Sequence, residues 1–256
     1  MKICTVTITG ADDSVDPKDM AKLSHNYPFV EWSILLAPCD EGCARYPSRK
    51  WTDRLIECSN DLRLAGHLCG TWASDTLHGK LSFRQDRKKL WSVIKRLTIN
   101  FKCFPAANTT GFLDSLALIH DKQIILQIDT INDDMYTMAK ENGLIVYPQY
   151  NSSQGSGVLP SGWPNPLDDV YCGYAGGLGP DNLERELKRI AGQIGDRKIW
   201  IDMETRVRTG KFLDLRKVEE CLQIAEDYVD QEDRAAAYLE IPSSQKRISD
   251  SIKPPR

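Results

Sequence analysis

Apolar residues recur in short runs along the chain, separated by longer stretches of mixed character. Eight runs have the length of buried strands: KICTVTI (2–8), FVEWSILLAP (29–38), RLAGHLCG (63–70), TINFKCF (98–104), KQIILQID (122–129), LIVYPQY (144–150), DVYCGYA (169–175) and KIWIDME (198–204). Through the first and one residue past it, Thr5, Thr7 and Thr9 alternate with apolar residues, the period of two that a strand requires. Helical patterns fill most of the intervals: DPKDMAKLSHNY, WTDRLIECSNDL, LSFRQDRKKLWSVIKRL, NTTGFLDSLALIH and INDDMYTMAKENG follow the first five strands. In PDNLERELKRIAGQIG, Leu183, Leu187, Ile190 and Ile194 share one helical face. Leu215, Val218, Leu222, Ala225 and Val229 do the same in DLRKVEECLQIAEDYV. The sixth connection, NSSQGSGVLPSGWPNPLDD, is rich in Gly, Ser and Pro and has little helical pattern.

Eight strand–helix alternations predict an α/β protein built as a single (β/α)8 TIM barrel over residues 1–240. The polar, proline-ended stretch 241–256 reads as a flexible tail. A doubly wound sheet is the alternative, and its glycine fingerprint would follow the first strand. There the chain reads ITGADDSVDP, without the fingerprint, while GYAGGLGPDN (173–182) follows the seventh strand. In barrels the phosphate loops follow strands seven and eight, so the position of these glycines favours the barrel.

Composition narrows the partners. The 256 residues are 41% hydrophobic and 27% charged, with a formal net charge of −3, which gives no basic field for nucleic acid or an anionic membrane. No apolar run approaches the roughly 20 residues of a membrane span, and MKICTVTITG lacks a basic-then-apolar leader, so a cytoplasmic protein is expected. The eight cysteines are scattered, which speaks against a disulfide framework. Cys39 and Cys43 form one close pair where structural zinc usually takes two, so neither a metal nor another cofactor is expected.

Barrel chemistry sits at the C-terminal ends of the strands, and polar residues at period-two spacing there are the lumen candidates. They are Lys2 and Cys4, His67 (or Cys69), Asn100 and Lys102, Gln127 and Asp129, Tyr147 and Gln149, and Asp202 and Glu204. They read as a satisfied polar layer or as a site, and so many ionisable groups are costly to bury without a ligand. Gly176 and Gly177, just before Pro180 and Asp181, suit backbone amides that approach a phosphate at a helix start. The expected partner is therefore a phosphorylated small molecule. Lys102 offers a second chemistry, Schiff-base formation, unless it is the charge partner of Asp129. A third possibility is a barrel that binds such a ligand without turning it over.

An ordered set of segments resembles one family. KICTVT (2–7) is similar to the KICG(I/L)T that opens phosphoribosylanthranilate isomerases, and ILLAPCDEGCARYPSRKW to their FVFYPxSPRYxS, with Arg45 and Tyr46 in the Arg-Tyr positions. SSQGSGVLPSGW resembles their sixth loop GGTGKTFDW, GGLGPDN their GGLxPEN, and IDMETRVRTGKFLDLRKV their GVDVSSGVExxPGxKDLEKI. The resemblance implies an isomerase that converts an aminoaldose to an aminoketose, with Cys4 in the general-base position. Tyr147 or Gln149 stands where the family has its general acid, an aspartate, with Asp129 and Glu204 as neighbouring substitutes. Asp202 matches the strand-eight aspartate. Ligand-binding positions carried over are Arg45, Gly176, Gly177, Asp181, Asn182 and Arg206. The chain departs from the family at Glu204-Thr205-Arg206, in place of Ser-Ser-Gly, although the Arg206 guanidinium could pair with a phosphate.

Overall fold

The computed structural model describes residues 1–100, 109–128, 133–151, 153, 155–167 and 170–229. Helix starts follow the local chemistry. Asp16 accepts a hydrogen bond from the Lys18 amide, and Pro17 opens α1 (Pro17–Asn26), where its missing N–H costs nothing. Ser48 caps α2 (Arg49–Glu57) through the Trp51 amide, and Asp214 caps α9 (Leu215–Glu226) through the Arg216 amide. The remaining helices are α3 (Gly70–Leu77), α4 (Ser82–Asp86), α5 (Lys88–Val93), α6 (Thr109–Leu118), α7 (Asp133–Glu141) and α8 (Leu183–Ile194).

Eight parallel strands close into a barrel in chain order: β1 (Lys2–Thr9), β2 (Val30–Leu36), β3 (Leu64–Leu68), β4 (Arg96–Ile99), β5 (Gln123–Ile128), β6 (Val146–Asn151), β7 (Cys172–Ala175) and β8 (Lys198–Met203), which pairs back onto β1. This is the (β/α)8 barrel that the alternation predicts. Outward residues such as Val6, Ile34, Leu97, Leu126 and Ile201 join helix residues Leu187, Ile190 and Leu222 in one apolar cluster. Beyond β8 a turn of 3-10 helix (Thr205–Val207) leads into a small hairpin of β9 (Arg208–Thr209) and β10 (Phe212–Leu213). Residues 241–256, read as a tail, lie outside the described residues, as do Lys102 and Asp129.

The inner face departs from the expected parity at one place. Pairing of β1 with β8 shifts register between Ile3 and Thr5, so Cys4 is the extra residue of a bulge. Above it the odd-numbered threonines turn into the lumen: Thr7 donates to Glu31 and Thr9 to Asp202. Lys2, read as a lumen residue, is instead exposed at the N-terminal start of β1.

The lower lumen is plugged by a buried pair that the patterns did not reveal. Arg96 of β4 donates to Glu31 of β2 at 2.9 Å, and its guanidinium lies 4.4 Å from the Trp200 ring and 5.9 Å from the Tyr171 ring. Tyr147 points into the same region, its ring packed edge-on against Tyr171 with centroids 6.2 Å apart, and burial pushes its hydroxyl pKa up against the pull of Arg96. Strand four therefore begins at Arg96 rather than at residue 98. The stretch after β3 holds the unpredicted α3, and α4 and α5 replace one continuous helix, breaking at Arg87. Trp72, Phe83 and Trp91 stack beneath them with centroids 5.2 and 6.0 Å apart.

Candidate functional site

A cavity of about 320 Å³ opens among the C-terminal strand ends. Its floor and walls bring together Thr9, His67, Asn100, Gln127, Asp202 and Glu204, while the β6–β7, β7–α8 and β8–β9 connections form its rim. The period-two reading of strands three, four, five and eight thus converges on one place. Thr9, Tyr46, Asn151, Ser153 and Thr205 also line the cavity but were not among the candidate site residues. For Thr9 the signal was present, because the TVTIT alternation continues past the segment chosen as a strand.

Asp202 is the chemical centre. Its carboxylate accepts from Thr9 Oγ1 and Gln149 Nε2, each at 2.7 Å. Burial, with a smaller contribution from the charges of Glu204 and Glu31, pushes its pKa up to about 7 against the pull of both hydrogen bonds. Gln149 in turn accepts from Gln127 at 3.5 Å, so strands five, six and eight share one polar chain. Next to Asp202 on the chain, Glu204 is also raised by burial, but Arg45 restrains it through a 2.5 Å ion pair.

Arg45 is held in an uncommon conformation. Its φ of 76° is left-handed, and its amide donates to Asp12 Oδ2, which also receives Arg208 Nη2 at 2.6 Å. Asp12 thus ties the loops after β1, β2 and β8 together and aims the Arg45 guanidinium at Glu204. Tyr46, beside Arg45, has its hydroxyl pKa raised by burial, and Cys69 is pushed up to about 11 for the same reason.

The glycine-rich turn is packed tightly against its own neighbours. Gly177 has φ 65°, and a Cβ there would lie 2.6 Å from the Leu159 nitrogen and 2.7 Å from the Val158 carbonyl carbon. A Cβ on Gly179 would fall 2.4 Å from Arg206 Cβ, and one on Gly157 2.8 Å from the Thr205 side chain. These glycines therefore answer first to the approach of one loop to another. Asn182 is wired into the turn, accepting from the Gly179 amide at 3.0 Å and donating to the Gly177 carbonyl at 2.8 Å. Asp181 is exposed and pairs with Arg206 at 2.9 Å, while Arg206 Nε donates to the Gly157 carbonyl at 3.2 Å. Gly176, Gly177 and Arg206 line the cavity; Asp181 and Asn182 shape the turn behind them.

Cys4, the base that the resemblance implies, stands at the bulge in the first half of β1. At ~3.3 Å per residue it lies roughly 16 Å along the strand from Thr9, which occupies the mouth. The KICT match therefore points to the wrong end of the strand. Among the described residues no group of three or more His, Cys, Asp or Glu could hold a metal ion, and no helix is long and apolar enough to cross a membrane.

Fold and site together define a (β/α)8 barrel with a polar cavity at the strand ends. No family model and no curated protein matches the chain. Solved structures do. N-(5'-phosphoribosyl)anthranilate isomerase from Pyrococcus furiosus matches at 13% identity and a TM-score of 0.53, over 87% of this chain and 98% of that one. A phosphoribosylanthranilate isomerase in complex with reduced 1-(o-carboxyphenylamino)-1-deoxyribulose 5-phosphate matches at 12% identity and 0.51, over 89% and 100%. A truncated 3-deoxy-D-arabino-heptulosonate 7-phosphate synthase from Thermotoga maritima matches at 12% identity and 0.52, over 89% and 86%. At these identities the likeness is one of fold.

Proposed function

We propose that this barrel is an enzyme that moves a proton on a phosphorylated sugar derivative, next to a carbonyl or imine carbon, with Asp202 as the acid–base group. The observation that carries the reading is a carboxyl with a pKa of about 7 on the cavity floor. Such a group is populated in both protonation states at neutral pH, where acid–base catalysis is most effective. Thr9 and Gln149 fix its orientation where it lines the cavity. The ionised form takes a proton from the hydroxyl-bearing carbon beside the carbonyl or imine, leaving an enediol or enaminol. The proton of that hydroxyl passes to the old carbonyl oxygen or imine nitrogen as the new carbonyl forms. The neutral carboxyl returns a proton to the old carbonyl or imine carbon.

The rim supplies the means to hold a phosphate. Gly176 and Gly177 lie ahead of α8, whose amide end favours an anion, and the Arg206 guanidinium stands across from them. Arg206 can exchange its exposed partner Asp181 for phosphate oxygens at small cost, because exposed ion pairs contribute little. A structural neighbour that binds a deoxyribulose 5-phosphate derivative is consistent with this assignment. The isomerase step implied by the sequence resemblance would here run through Asp202 rather than Cys4.

The test is solvent deuterium incorporation, followed by NMR, into a panel of aldose and ketose phosphates and phosphoribosylanthranilate. Wild-type protein should label the carbon next to the carbonyl of at least one of them, and Asp202→Asn should slow labelling by at least ~100-fold, the scale of a lost general acid–base. Absence of labelling across the panel, with no binding of inorganic phosphate, would remove the proposal. Growth without tryptophan of a bacterium lacking phosphoribosylanthranilate isomerase, when given this gene, would assign that particular reaction.

A further inference from the structure

Below the charged rim, among the described residues, the His67 side chain in the cavity has no hydrogen-bond partner. His67 lies on β3, in register with Leu35 of β2 and Thr98 of β4, and is 5% exposed. It lines the cavity, and neither ring nitrogen is satisfied. A buried polar group left in this state costs stability that a ligand can recover. Burial pushes the imidazole pKa down to about 4. At neutral pH the ring is therefore uncharged, with one nitrogen as donor and the other as acceptor.

The chemistry of an occupant follows from this pair of needs. A carboxylate or a phosphate-ester dianion offers only acceptors, and an ammonium group only donors. A hydroxyl can give or receive, so a chain carrying several hydroxyls can meet both nitrogens, one hydroxyl on each side of the ring. The neighbouring lumen groups are uncharged as well: Asn100 contacts the Cys69 sulfur at 4.0 Å, and Gln127 leads through Gln149 to Asp202. We propose that the deep part of the cavity binds the hydroxylated carbon chain of an open-chain sugar phosphate, and that His67 is the residue that recognises it, by one hydrogen bond given and one received. This inference rests on the phosphosugar reading above and adds the form of the sugar and the side chain that selects it.

Calorimetric titration of the full chain with inorganic phosphate, ribitol 5-phosphate and phenyl phosphate tests it, since the three share a phosphate and only ribitol 5-phosphate carries a hydroxylated chain. Wild-type protein should bind ribitol 5-phosphate at least tenfold more tightly than either of the others. His67→Phe should abolish that advantage while leaving inorganic phosphate within twofold, and His67→Gln, which keeps a donor and an acceptor, should restore part of it. In wild-type protein labelled with 15N-histidine, the His67 ring resonances should be those of a neutral imidazole at pH 7 and should move on addition of ribitol 5-phosphate. These resonances and the Gln variant decide the matter if the Phe variant does not fold. Unchanged ring resonances, or an undiminished preference in His67→Phe, would overturn the role of His67 and leave the phosphosugar reading standing. Failure of both inorganic phosphate and ribitol 5-phosphate to bind wild-type protein would sink that reading and this inference together.

Discussion

Replacing Asp202 by Asn should make the protein more stable at alkaline pH even as it removes the proposed acid–base group. A carboxyl whose folded-state pKa lies above its unfolded value keeps a proton in the folded state that the unfolded chain has already released. Stability then falls as pH rises from the ordinary 3.8 to about 7, and the loss is complete above that. The gap is about three in pKa at roughly 1.4 kcal/mol each, so the ionised carboxylate costs at most about 4 kcal/mol. Asn carries no charge and avoids that cost. It can still accept from Thr9, but its NH2 would face the Gln149 amide that now donates to Asp202, so Gln149 must flip, at a cost of ~1 kcal/mol. The net expectation is a gain of about 2–3 kcal/mol at pH 8.5, shrinking toward zero or reversing at pH 4.5. Urea unfolding of both proteins at the two pH values measures it directly. A variant no more stable than wild type at pH 8.5, or a difference independent of pH, would refute the account of Asp202.

Further outcomes follow from packing and from the buried ion pair. Gly177→Ala combines a left-handed backbone with contacts of 2.6 and 2.7 Å to the β6–β7 connection, and should lose ~2–4 kcal/mol together with phosphate binding. Gly143→Ala, at φ 75° with nothing within 4 Å, should lose only about 1 kcal/mol in the same urea assay. Arg96→Met strands Glu31 in the plug and should cost roughly 3–5 kcal/mol. Adding Glu31→Leu should recover most of that loss, and a double variant as unstable as the sum of the single ones would contradict the coupling.

The barrel was legible because its signals are local: short apolar runs, amphipathic faces at 3.6-residue spacing, and a glycine turn at the seventh strand. The candidate site was legible only where strand parity held. On β3, β5 and β8 the alternation ran unbroken, and His67, Gln127, Asp202 and Glu204 line the cavity. On β1 the bulge at Cys4 reversed the parity, and no residue type there announces it, so Lys2 and Cys4 were chosen over Thr5, Thr7 and Thr9. Arg96 and Glu31 escaped notice for another reason. Each looks like a stray charge at the margin of an apolar run, and only the closed barrel brings residues 65 positions apart to 2.9 Å. The roles of Asp181 and Asn182 were likewise tertiary, since one turns outward to Arg206 and the other inward to its own loop.

The near-contact of Gly157, Gly177 and Gly179 with neighbouring loops bears on how anything enters. At Gly157, Gly177 and Gly179 there is no room for a side chain between the connections that carry them, so an inward shift of one at these points presses on the next. This side of the mouth behaves as a stiff collar rather than a lid. Admission is then decided by the bore of the collar and by the charges on it, and a bulkier guest would require matched changes in two loops at once.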